Sequence, residues 1–60
     1  MFVELETRKN DGLTVSLEWE RETGKTQIVV EDAWDHRQIV VAVPGASAGD
    51  AFRHPFRYVP

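Results

Sequence analysis

There is no cysteine in this chain, so disulfides and thiolate zinc sites are excluded and the usual staples of very small folds are missing. No apolar run approaches the roughly 20 residues of a membrane-spanning helix. The first residues, Met1-Phe2-Val3-Glu4-Leu5-Glu6, are acidic and alternating, whereas a secretory signal needs a basic start and a continuous apolar stretch. These absences lead us to expect a cytoplasmic protein without membrane association. Internal repeats, low-complexity tracts and linkers are also missing, so one domain spanning residues 1–60 is expected.

Basic charge is scarce as well. The net charge is -3, and residues 1–32 hold eight acids against four bases. Residues 33–60 reverse the balance only slightly, with Arg37, Arg53 and Arg57 against Asp35 and Asp50. Duplex binding needs a concentrated basic surface to displace counterions, and three arginines do not supply one. What is plentiful is apolar: 42% of the chain, an ordinary globular share that argues against disorder. At 60 residues a fold must bury most of that share or borrow burial from a second copy.

Period-two alternation dominates the sequence, as expected of half-buried strands. Leu13, Val15, Leu17 and Trp19 alternate with Thr14, Ser16, Glu18 and Glu20, and Val3 and Leu5 alternate with Glu4 and Glu6. Residues 26–32 and 38–43 are rich in β-branched side chains that suit a pleated surface. Turn signals separate these runs. A three-residue loop at Asn10-Asp11-Gly12 would set Leu5 opposite Leu17 and Val3 opposite Trp19. A four-residue loop at Arg21-Glu22-Thr23-Gly24 would set Leu17 opposite Ile28 and Val15 opposite Val30. A third loop, Ala33-Trp34-Asp35-His36, closed by an Asp32–Arg37 pair, would set Val30 opposite Ile39 and Ile28 opposite Val41.

Together these loops collect Val3, Leu5, Val15, Leu17, Trp19, Ile28, Val30, Ile39 and Val41 on one face. A one-residue slip would scatter the set over both faces. Pro44-Gly45 ends the last strand, and Ser47 followed by Asp50 resembles a helix start. That helix must be short, because Pro55 disfavours helical geometry at His54. The expected fold is therefore α+β and mainly β: a four-stranded antiparallel meander with one short C-terminal helix on its apolar face. Phe52 and Phe56 are expected to form the lid over the sheet.

Around Leu17-Glu18-Trp19 and Thr23-Gly24, and most sharply in the tail Asp50-Ala51-Phe52-x-His54-Pro55-Phe56-x-Tyr58, the chain resembles a group of small uncharacterised bacterial proteins. The likeness spans roughly residues 15–58 and breaks at Trp34-Asp35-His36, where the group more usually has a Thr-Gly turn. It implies a shared fold and no activity, and no functional residue is carried over from it.

Chemistry-bearing residues are few. His54, between aromatics and before a proline, could act as a base or ligand, but no partner or pocket for it is legible, and a local backbone hydrogen bond accounts for it more simply. Asp32, Asp35, His36 and His54 are the only conceivable metal set, and their spacing matches no known ligand pattern. No nucleophile–base pair or phosphate loop is found, so neither an enzyme nor a cofactor is expected. Trp34 at a polar hairpin tip is costly to expose, and is expected either as an interface anchor or as an indole folded back over the edge of the core. Val29, Val40 and Ala42 gather on the second sheet face as a contact patch for another protein or a second copy. The weaker alternative is a single-stranded nucleic-acid strip in which Arg53 and Arg57 interleave with Phe56 and Tyr58. A non-enzymatic protein-interaction module, self-associating as a homodimer, is the function expected.

Overall fold

The computed structural model describes residues 1–59 and contains four strands followed by a short helix. The strands are β1 (Phe2–Asn10), β2 (Leu13–Glu20), β3 (Thr26–Asp32) and β4 (Arg37–Val43), and the helix is α1 (Ala48–Arg53). Single 3-10 turns, Gly45–Ser47 and Pro55–Arg57, flank the helix. The strands form one open antiparallel sheet in the order β1-β2-β3-β4, with α1 against β2 and β3. This is the mainly β, α+β meander that the alternation implies.

Two of the three expected registers are present. Leu17 faces Ile28 and Val15 faces Val30 across β2 and β3. Val30 faces Ile39, Ile28 faces Val41 and Asp32 faces Arg37 across β3 and β4. The last loop closes without glycine because His36 itself takes a left-handed backbone, φ 52, a conformation in which histidine is enriched among non-glycine residues. Asp32 does not pair ionically with Arg37. Its Oδ1 accepts hydrogen bonds from the Trp34 and Asp35 backbone N–H groups at 2.9 and 3.3 Å, and Arg37 bonds Asp35 instead.

The first hairpin departs from expectation. Its loop has two residues, with Asn10 opposite Leu13, and both Asp11 (φ 49) and Gly12 (φ 81) have positive φ. That backbone twists in the sense of the flanking strands, which is why two-residue Asp-Gly loops are favoured. The shorter loop moves β1 by one residue, so Arg8 faces Val15 and Glu6 faces Leu17. A β-bulge between Glu4 and Glu6 then absorbs Leu5 and restores Val3 opposite Trp19. Leu5 therefore does not face Leu17, and it remains 52% exposed.

Val15, Ile28, Val30, Val43 and Ala51 form the buried core, with Leu13, Leu17, Ile39, Val41, Ala48, Phe52 and Tyr58 packed around it. Trp19 is only half-buried and is not among the residues packed on this core. A helix that short is unstable alone, so tertiary contacts must hold it in place. Ala51 is fully buried, and the Tyr58 hydroxyl donates to Asp50 at 2.8 Å. Ser47 occupies the N-cap position but makes no side-chain cap bond. The lid is also smaller than expected: Phe52 packs on the core and Pro55 is buried, whereas Phe56 is 58% exposed. Phe56 sits in the Pro55–Arg57 turn, whose buried residue is Pro55.

Candidate functional site

An outer strand pairs on one side only, and β1 is such a strand, exposed along all nine of its residues. Met1, Phe2, Val3 and Leu5 place large exposed apolar groups at its N-terminal end. Its charges are segregated, with Glu4 and Glu6 preceding Arg8 and Lys9. Glu4 and Lys9 lie on the same face, because their β2 partners Glu18 and Thr14 do. β4, the opposite edge, has seven residues and carries one charge, Arg37.

The expected second-face patch is only partly available. Val29 sits in the central strand between Ser16 and Val40 and is buried, 5% exposed, so it cannot offer a contact surface. Ser16 beside it is also buried, and its hydroxyl lies 3.1 Å from that of Thr7. Gln27 donates to Glu18 at 2.7 Å on the same face. Cross-strand neighbours thus wall in the centre, leaving Val40 and Ala42 exposed at the β4 edge.

Trp34 is 77% exposed, but its indole is fixed. Its Nε1–H donates to the Asp11 carbonyl at 3.2 Å, and the ring covers Gly12, where an added Cβ would fall 2.1 Å from Nε1. The Ala33 N–H donates to the Gly12 carbonyl at 2.9 Å, joining the same two loops a second time. The indole serves as a brace between hairpins rather than a cover for the core.

Sequence reasoning missed Arg8. The two-residue turn sets it on the apolar face, where Nε and Nη2 donate to the Phe52 carbonyl at 3.2 and 2.9 Å and Nη2 donates to Arg53 O at 3.0 Å. Its guanidinium also lies 5.5 Å from the centroid of the Phe52 ring. A cation that satisfies the last carbonyls of a helix also meets the negative end of its dipole. The Asp-Gly dipeptide was the available signal, because a two-residue loop predicts this facing.

The Arg/aromatic strip does not hold together. Tyr58 turns toward Asp50, whose carboxyl is held below its ordinary range chiefly by the Tyr58 hydrogen bond, with Arg57 assisting. The same bond pushes the Tyr58 hydroxyl upward. Arg53, His54, Phe56 and Arg57 instead line a cleft of about 380 Å³ whose floor is Leu13, Val15 and Pro55 and whose far wall is Arg8, Asn10 and Asp11. Asp32, Asp35, His36 and His54 do not assemble: among the described residues no three side chains of ligating type gather at one point. No described helix is long and apolar enough to cross a membrane. Compared with protein-family models, curated proteins and solved structures, the chain matches none.

Proposed function

We propose that this chain is a non-enzymatic protein-interaction module that self-associates by pairing the β1 edge of two copies antiparallel. The observation that carries the reading is the β1 edge: nine exposed residues with apolar groups and outward-facing backbone donors and acceptors. Antiparallel self-pairing lays the acidic half of one strand along the basic half of the other, so Glu4 of one copy meets Lys9 of the second. Parallel pairing would stack like charges. A core cluster of only five buried residues adds a motive, because pairing extends the sheet of a domain with little burial of its own.

Sedimentation at high micromolar concentration tests this reading. Dimers are expected for the native chain. Glu4→Lys and Lys9→Glu should each weaken association, and the double charge swap should restore it. A native chain that stays monomeric, or a swap that restores nothing, overturns the reading.

A further inference from the structure

The cleft beside α1 is chemically unlike the rest of this acidic chain. Arg8, Arg53 and Arg57 line it against a single acid, Asp11. Arg8 is committed to the helix carbonyls and Arg57 bonds Asp50 at 3.4 Å. The Arg53 guanidinium and the His54 imidazole make no side-chain hydrogen bond among the described residues and are exposed. Free donors at a cleft wall above an aliphatic floor select a ligand with one charged end and one apolar body.

Phe56 narrows the choice. Its ring also borders a neighbouring hollow of about 170 Å³ lined by Leu13, Val30 and Ile39, so it stands as a wall with space on two sides. A wall of that kind offers a flat surface for stacking. Nucleic-acid strands need successive aromatic platforms, and with Tyr58 turned to Asp50 there is one. The cleft volume, about 380 Å³, falls at the small end of ligand pockets.

We propose that this cleft binds a small organic anion, a carboxylate or phosphate carried on one planar ring. The ring stacks on Phe56 over Leu13, Val15 and Pro55, and the anionic group takes the free donors of Arg53 and His54. This inference is independent of the β1 edge.

Amide shifts in NMR titrations test it, with adenosine 5′-monophosphate and 2-naphthoate as the two anionic probes and adenosine and inorganic phosphate as the half-ligands. At least one anionic probe should give saturable shifts confined to residues 8–15 and 53–57, and which one saturates first distinguishes phosphate from carboxylate. Both half-ligands should bind at least about tenfold more weakly, as expected when a charge-assisted contact or the apolar contact is lost. Arg53→Gln and Phe56→Ala should each weaken the better probe about tenfold while the melting temperature stays near that of the parent. Three results would overturn the proposal: no saturable shift from either anionic probe, adenosine binding as tightly as its monophosphate, or binding unchanged by Arg53→Gln.

Discussion

β1 and β3 both carry apolar residues in strand-forming runs, yet every residue of β1 is exposed while Ile28, Val29 and Val30 in β3 are buried. Composition does not explain the contrast. β3 has a strand on either side and α1 above it, whereas β1 has one neighbour and a bulge that carries Leu5 out of register. Burial in an open sheet thus follows position in the strand order more than the apolar content of a strand. The exposed strand also reaches the lid, through Arg8.

The comparison breaks most visibly at Ile28. Ile28→Ala should cost about 2–5 kcal/mol in denaturant unfolding. A domain of this length has a total stability of roughly 3–9 kcal/mol, so the loss removes a large share of it and the unfolding midpoint should fall sharply. Next comes the joint between the two loops. Gly12→Ala places a Cβ against the Trp34 ring in a left-handed backbone and should cost about 1–2 kcal/mol from the backbone alone. Adding Trp34→Ala should recover part of any excess, and a double-mutant cycle reads the coupling.

Arg8 tests whether the exposed strand holds the lid. Arg8→Ala should lower stability by about 1 kcal/mol, and Arg8→Lys should recover only part of it, because an ammonium cannot span both carbonyls as a guanidinium fork does. A smaller effect is expected from acid. The Asp50 carboxyl is depressed in the fold, so its contribution is present above the ordinary aspartate range and is lost as pH falls through the lower folded value. The Tyr58 hydroxyl is raised, so its part is present below the ordinary tyrosine range and is lost as pH rises above it. Thermal melts across pH should show both limbs, and Asp50→Asn should flatten the acid one. Leu5→Ala, in the bulge, should change stability by less than about 0.5 kcal/mol. A loss there matching that of Ile28→Ala would mean that β1 shares the core.

Much of the fold was legible in the sequence because alternation ties each residue of a doubly flanked strand to one face. The registers of β2 with β3 and of β3 with β4 follow from that pattern, since any slip would expose Ile28 and Val30. The short helix and its end at Pro55 follow from local backbone chemistry. The candidate site was much less legible. An edge strand pairs on one side only, so its register answers to turn geometry, and the choice between a two- and a three-residue loop at Asp11-Gly12 decided which side of β1 met the lid. Only the assembled structure puts Arg8 on the carbonyls of α1, Trp34 on Gly12 and Val29 out of reach. Phe56, expected in the lid, is left 58% exposed in the turn where Pro55 is the buried residue. The Arg8 and Trp34 contacts join segments distant in sequence, and no local pattern encodes the distance between them.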